Sequence, residues 1–390
     1  MNGSSEANTH GVSPARRVVT RASRRKGEAN FFAKLEGERY AKWLKKCWRR
    51  RQKRREERSR LKAQVLPSQE SMNDWIPAQW NVLKWKDELK VGTWNVRSLL
   101  GEIPQELVCS AACRERINML AVQECRWDGI EEGKEMGGYL WYGGGAWKNR
   151  IGARTGGVLV GVHKALGGAV MANVHKEGRV QLVKMKGMFG RNLIFGSLYV
   201  PTEIEAGGEE KRDAFWELVN EAMAEIGRKK RDVVLIGIDN NGETGKREQE
   251  ELDSEAEEGE MKECMGNWGG GKSNENGRRL IEECARNGWS IASTYFNTPE
   301  RKKWTFYGVF RDGDGRCRRE YDQILCDEMT RRRLVRVKNV RDTLHDSDHC
   351  LRVAGVKLRG KEFRPKQKER SMTSVLRTEA AAEEVEKEVS

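Results

Sequence analysis

Ser347-Asp348-His349, late in a chain with only five histidines, sets a carboxylate beside an imidazole. It closes an ordered series of polar residues at strand ends: Asn95, Glu124, Tyr199, Asp239, Asn241 and Asp322. Phosphodiester hydrolysis asks for such a set: a hard cation to neutralise phosphate oxygens, a group to orient or deprotonate water, and donors for the charge that builds on phosphorus. Glu124 is expected to end the apolar strand NMLAV and Asp348 to begin the strand CLRVAGV, so both can project from one rim of a sheet sandwich towards Mg²⁺, for which Mn²⁺ could substitute. Taken singly, each is as readily a turn former. His349 suits a non-bridging phosphate oxygen, and its other ring nitrogen calls for a carboxylate. Asp322, flanked by apolar residues in REYDQILC, is the candidate, because an acid there is costly unless paired. A structural ion pair with a nearby arginine is the alternative. His345 lies four residues before His349, but no element clearly presents both.

Elements able to position these residues start near Leu89. Strands are expected at LKVGTWNV, INMLAVQEC, GGVLVGVH, VQLVKMKG, NLIFGSLYV, DVVLIGID, SIASTYF, REYDQILC and CLRVAGVKL, each a short apolar run bounded by turn signals. Two amphipathic helices interrupt them. KRDAFWELVNEAMAEIGRKK offers Phe215, Leu218, Met223 and Ile226 to one face, and GRRLIEECARNGW offers Leu280, Ile281 and Cys284. Many short strands with few helices suit two packed sheets covered by helices.

The 390 residues suffice for a large core, yet only 37% are hydrophobic and 34% are charged, so part of the chain is expected outside it. Residues 1 to 86 carry 22 Lys and Arg against 8 Asp and Glu, a surplus equal to the whole net charge of +14. This arm reads as largely disordered with a helix over about 31 to 63. From Lys45 to Arg60, ten of sixteen residues are basic, which suits a nuclear localisation signal or a nucleic-acid contact as well as a solvated helix end. Residues 243 to 263, with ten acids and three bases, read as a mobile acidic loop, and 361 to 390 as a charged tail. Nine scattered cysteines without a CxxC pair, no leader peptide and no long apolar run predict a soluble intracellular protein with reduced thiols and no membrane association.

GTWNVRSLL at 92 to 100, LAVQECRWDG at 120 to 129, LYVPT at 198 to 202, VVLIGIDNNGETG at 233 to 245, NENGRRLIEEC at 274 to 284, KKWTFYG at 302 to 308, YDQIL at 321 to 325 and SDH at 347 to 349 together resemble the endonuclease/exonuclease/phosphatase superfamily. Within it they resemble the apurinic-like endonuclease domain of non-LTR retrotransposons and the craniofacial development protein 2-like proteins. The resemblance implies a DNase I-like α/β (α+β) fold over 87 to 360, a four-layered α/β/β/α sandwich of two mixed sheets flanked by helices. It also implies that Glu124, Asp348 and Asn95 surround Mg²⁺, that Asp239 orients and deprotonates water, and that Asn241 holds that water or the phosphate. Tyr199 would contact the phosphate or leaving group, and Asp322 would orient His349.

The implied reaction is Mg²⁺-dependent nicking that leaves a 3′-hydroxyl and a 5′-phosphate, with DNA as partner, RNA as a second possible substrate, and a monomer as the favoured state. Arg311, Arg316, Arg318 and Arg319 are candidate DNA contacts, with solvated loop charge as the alternative. The chain departs from the superfamily pattern where Gly-Asp-Phe-Asn is usual and Ile238-Asp239-Asn240-Asn241 stands instead, and where Arg97 replaces a metal-side acid. No reverse transcriptase follows within the 390 residues, so a separated gene of retroelement origin or a fragment is expected. The rival class is a catalytically weak nuclease fold that binds nucleic acid or chromatin through the basic arm.

Overall fold

A computed structural model describes residues 88 to 357, apart from 130–131, 150–151, 189–190, 203–207, 247–263, 309–316, 342 and 344. These residues belong to the second of the two units, 1–68 and 69–390, into which the chain divides. The expectations for the basic arm and its helix, for residues 247 to 263, for the tail, and for Arg311 and Arg316 lie outside the described residues.

The chain opens with β1 (Glu88–Asn95), α1 (Glu102–Glu115) and β2 (Met119–Gln123). There follow β3 (Lys134–Met136), β4 (Tyr139–Gly144), the short pair β5 (Trp147–Lys148) and β6 (Arg154–Thr155), and β7 (Val158–His163). Next come β8 (Val170–Lys176), β9 (Val180–Met188), β10 (Arg191–Tyr199), α2 (Gly208–Glu225), β11 (Val233–Asp239), α3 (Glu275–Asn287) and β12 (Trp289–Ile291). The last are β13 (Phe306–Tyr307), β14 (Arg318–Arg319), β15 (Asp322–Asp327), α4 (Glu328–Arg331), β16 (Leu334–Val340) and β17 (Leu351–Lys357).

Two mixed sheets result, in the orders β16-β17-β1-β2-β7-β4-β3 and β12-β15-β11-β10-β9-β8. Each has one parallel pair, β1 with β2 and β10 with β11, and each pair is a strand-helix-strand unit through α1 or α2. Parallel neighbours end at the same rim, so Asn95 lies opposite Gln123 and Tyr199 opposite Asp239. That geometry gathers the polar strand ends on one side of the molecule.

Three apolar clusters give four layers. Val91, Ala121, Val160, Phe195, Leu235 and Ile324 fill the space between the sheets. Phe215, Trp216, Leu280 and Cys284 on α2 and α3 pack on the outside of the second sheet. Val108, Cys109 and Ala112 on α1 cover the first. β2 and β11 are buried along their whole length, because each is central and covered on both faces, and this is why their sequences show no alternation. The four-layered α/β/β/α sandwich of two mixed sheets expected from the sequence is the fold observed.

The interior turns polar as it nears the rim. Gln123 donates to Thr93 Oγ1 and Ser197 Oγ, each at 3.1 Å, and Ser197 Oγ donates to the carbonyl of Val122. Gly237 lets the sheets approach at this level, since a Cβ there would lie 2.5 Å from Ala121 Cβ and 2.6 Å from Thr93 Cβ.

Several expectations are corrected. The strand at SIASTYF ends at Ile291 and gives way to a 3₁₀ turn over Ala292–Tyr295, because Thr294 bonds back to the carbonyl of Ile291. Asp348 does not begin its strand; β17 starts three residues later. Glu243 and Thr244 are buried rather than part of a mobile loop. The Glu243 carboxylate accepts the N–H of Glu320 and pairs with Arg319, which compensates its burial. Helix α1, the β3–β4 hairpin, β8 and β16 carry no sequence expectation. Edge strands β8 and β16 are half exposed and interrupted by polar residues, Asn173, His175 and Lys176 in β8 and Arg336, Lys338 and Asn339 in β16, so the long apolar runs that mark central strands are missing from them.

Candidate active site

All eight sequence-predicted catalytic and metal-side residues lie at the rim where β1, β2, β10 and β11 end and β15 and β17 begin. Asn95 is the hub. Its amide donates to Glu124 Oε1 at 3.1 Å and to Asp239 Oδ2 at 2.7 Å, tying the first sheet to the second. Tyr199 donates its hydroxyl to the same Glu124 oxygen at 3.0 Å. Burial, then the charges of Glu124 and Asp239, raise the Tyr199 pKa well above its ordinary value, so it stays a donor.

His349 Nδ1 donates to Asp322 Oδ2 at 2.8 Å, and both side chains are buried. The arginine alternative for Asp322 is not what is observed. Burial alone would depress the His349 pKa, but the carboxylates of Asp322 and Asp239 and the hydrogen bond to Asp322 outweigh it and push the imidazole up to about 10. Asp239 is fully buried, which raises its pKa to about 7 against the opposing charge of His349 and the donors Asn95 and Asn241. Both groups are thus raised, His349 by its carboxylate neighbours and Asp239 by its burial.

The backbone bends sharply here. Arg97, Glu124, Arg126 and Asn241 have φ between 47° and 61°, four of the six non-glycine residues at positive φ among those described. Such conformations persist where surrounding bonds over-determine them. Arg97 N–H donates to Asn95 Oδ1, and Asn241 N–H donates to Asp239 Oδ1 at 3.0 Å. The Asn241 amide donates to the carbonyl of Val200 at 2.8 Å, so it braces the turn.

Donor chemistry decides where a metal fits. Asp239, Asp322 and His349 offer atoms within 4.8 Å of one another, a buried group able to hold a metal ion. In that group His349 Nδ1 is already bound to Asp322. Asp348 Oδ1, by contrast, is buried without a partner, while its Oδ2 pairs with Arg97 at 2.9 Å. Among the described residues Glu124 Oε2 meets only Arg126, at 3.6 Å. Glu124 and Asp348 therefore each retain an oxygen for a hard cation, and Asn95 Oδ1 retains a lone pair beside them.

Residues unassigned in the sequence support these groups. Ser347 Oγ donates to the carbonyl of Asn95 at 2.6 Å and accepts the N–H of His349. Trp94 Nε1 donates to the carbonyl of His349, and Phe306 packs its ring 5.0 Å from the imidazole. Thr305 Oγ1 accepts the N–H of Asp322 and the Thr305 carbonyl accepts that of Cys350, so one residue sets the spacing of the Asp322–His349 pair. Trp94, Thr305 and Phe306 sit inside the quoted segments GTWNVRSLL and KKWTFYG, which was the available signal. Arg319 is engaged by Glu243, and Arg318 lies opposite Tyr307 in the β13–β14 pair.

Two mixed sheets back to back, helices outside both, and these strand ends on one rim decide the architecture. This is the four-layered α/β/β/α architecture that the resemblance to the endonuclease/exonuclease/phosphatase superfamily implies. The chain is similar to craniofacial development protein 2 of Bos taurus, at 31% identity over 280 residues, which is 70% of this chain and 42% of that protein. Its likeness to the Tragulus javanicus protein of the same name is 30% over 278 residues, 70% of this chain and 43% of that one. The chain thus spans less than half the length of these relatives. No protein-family profile matches it.

Among solved structures, it is similar to the endonuclease domain of TRAS1, a telomere-specific non-LTR retrotransposon, with TM-score 0.45, 15% identity and coverage of 70% of this chain and 100% of that one. An AP endonuclease from Archaeoglobus fulgidus gives 0.47, 18%, 68% and 98%. The 3′ phosphatase NExo from Neisseria, bound to product DNA hairpin, gives 0.47, 14%, 69% and 99%. Among the described residues no helix is long and apolar enough to cross a membrane.

Proposed function

We propose that the protein is a Mg²⁺-dependent phosphodiesterase that nicks one strand of DNA and leaves a 3′-hydroxyl and a 5′-phosphate. One observation carries this reading: His349, bonded to the buried Asp322, lies beside the buried Asp239, which Asn95 ties to Glu124, and Glu124 in turn accepts the Tyr199 hydroxyl. Glu124 and Asp348, with Asn95 beside them, would hold the metal, which when bound would neutralise phosphate charge and act as a Lewis acid.

The protein's own groups supply the rest. Asp239, with a pKa near 7, is matched to taking a proton from water at neutral pH. Its carboxylate is aimed by Asn95 on one oxygen and by the Asn241 N–H on the other. His349, charged and held by Asp322, donates to a non-bridging phosphate oxygen and stabilises the charge that grows there. Tyr199, kept protonated, is the donor on the leaving-group side. The basic segment 45 to 60 suits a polyanionic partner and entry to the nucleus.

The deciding experiment is nicking of supercoiled plasmid with Mg²⁺, with EDTA, and with Asp239→Ala and His349→Ala. Each substitution is expected to lower the rate by on the order of 10²-fold or more, and EDTA to abolish it. Equal, poor nicking by the natural chain and both variants, with DNA binding retained, would leave only a nucleic-acid-binding role.

A further inference from the structure

The turn that carries Asp239 is clasped from outside by two asparagines. Asn276, in the first turn of α3, donates its side-chain amide to the carbonyls of Pro201 at 3.0 Å, Asn240 at 3.0 Å and Asn241 at 3.3 Å. Asn240 answers with its own amide, donating to the carbonyls of Asn276 at 3.1 Å and Gly242 at 3.3 Å. Both side chains are buried, and neither Oδ1 has a partner. Every contact therefore runs from NH₂ to a carbonyl, which fixes the orientation of both amides. Two amide hydrogens meet three carbonyls at Asn276, so the longest bond, to Asn241, is shared.

Close backbone approach makes the clasp possible. A Cβ on Gly242 would overlap Cβ of Asn276, and one on Gly277 would overlap the carbonyl of Glu243. Asn274 secures the same junction, since its Oδ1 accepts both the N–H of Glu243 at 2.9 Å and the capping N–H of Gly277 at 3.0 Å. Here the departure Ile238-Asp239-Asn240-Asn241 finds its physical sense. Ile238 is fully buried in the outer core, and Asn240 holds the turn to α3 by polar bonds where an aromatic side chain would hold it by packing.

We propose that Asn276, braced by Asn240, is a positioning residue for the water-activating carboxylate. Asp239 is aimed partly by the N–H of Asn241, a residue at φ 47°. Asn241 is in turn pinned by its side chain to Val200 and by its carbonyl to Asn276. Asn276 thus acts on Asp239 through Asn241 and touches neither substrate nor metal. The inference rests on the proposed nuclease reading for its kinetic consequence, but not for the clasp itself.

The test uses the full chain with Asn276→Asp, which keeps the shape and replaces the donor with an oxygen, and Asn276→Ala. The clasp predicts a fall in kcat for plasmid nicking of about 100-fold, the scale of a misplaced catalytic group, with KM within about two-fold of the natural chain. Added to Asp239→Ala, Asn276→Asp is expected to cost nothing more. In hydrogen-exchange mass spectrometry, peptides spanning 196–202 and 236–245 should exchange faster in Asn276→Asp, while β2 and β17 stay protected.

Parallel losses in kcat and KM, additivity with Asp239→Ala, or faster exchange spread over both sheets would reduce Asn276 to a general structural residue and overturn the proposal. Should the natural chain fail to nick at all, the nuclease reading falls by itself. The exchange pattern then decides the clasp: a local increase supports it, and no change or a global increase refutes it.

Discussion

Arg352 is almost fully buried, yet its guanidinium makes four hydrogen bonds: to Asn339 Oδ1 at 2.9 Å, Gln323 Oε1 at 2.6 Å, the Lys303 carbonyl at 2.9 Å and Glu320 Oε1 at 2.7 Å. Glu320 is equally buried, and its Oε2 has no other partner. Removing the arginine alone strands a carboxylate out of water, which typically costs about 3–5 kcal/mol. Against a stability of about 5–15 kcal/mol for a domain, that is a large fraction. Arg352→Met keeps much of the packing volume and deletes the charge. Adding Glu320→Gln removes the stranded charge, so the double variant should recover roughly half the loss or more. Equilibrium urea unfolding of natural, single and double variants measures both steps. A double variant as unstable as Arg352→Met would show that the arginine acts by its neutral hydrogen bonds, and that the ion-pair reasoning is wrong. Because Gln323 and Glu320 flank Asp322, the single variant should also broaden the His349 imidazole resonances in NMR.

Gly237→Ala places a Cβ 2.5–2.7 Å from Ala121 and Thr93, and should cost about 1–3 kcal/mol in the same unfolding assay. Tyr199→Phe removes only the hydroxyl bonded to Glu124, and should lower nicking kcat by on the order of 10²-fold with thermal stability little changed. His163 accepts the N–H of Ala165, and burial followed by the charge of Lys164 lowers its pKa to about 4. The unfolded imidazole, near 6.5, then binds a proton that the native one refuses. Its contribution is full above about pH 6.5 and is lost as pH falls from there towards 4. In calorimetric scans His163→Gln should flatten that limb of the stability profile.

The sequence made the central strands legible because burial on both faces forces continuous apolar runs, and the polar residues that end those runs stand out against them. Asp322 is the clearest instance: a lone acid at the start of an apolar strand implied a buried partner, and His349 is that partner at 2.8 Å. What escaped reading depends on contacts distant in the chain. Thr305 matters because it bridges Asp322 and Cys350, and Asn276 because three carbonyls from two other segments converge on it. Neither fact has a local signature in composition or periodicity. Glu243 misled for the opposite reason, since it shares the composition of the acidic run that follows it while its own carboxylate is paired and buried.

Glu243 also shows why the turn at Asp239 tolerates its unusual residues. Its carboxylate accepts the N–H of Glu320, its N–H goes to Asn274, and its carbonyl accepts the N–H of Asn274. The segment after Asp239 is thus fastened at once to α3 and to the approach to Asp322. The two acids of the site, Asp239 and Asp322, are paired across β11 and β15. Their strands are locked together again by Glu243 just beyond the rim, while Arg352 ties β17 to Gln323 and Glu320 on either side of Asp322. A turn held by three independent polar attachments does not need a flexible glycine before the aspartate or an aromatic anchor after it. Ile238 and Asn240 are therefore compatible with a precisely held Asp239, provided that Asn276 keeps its amide.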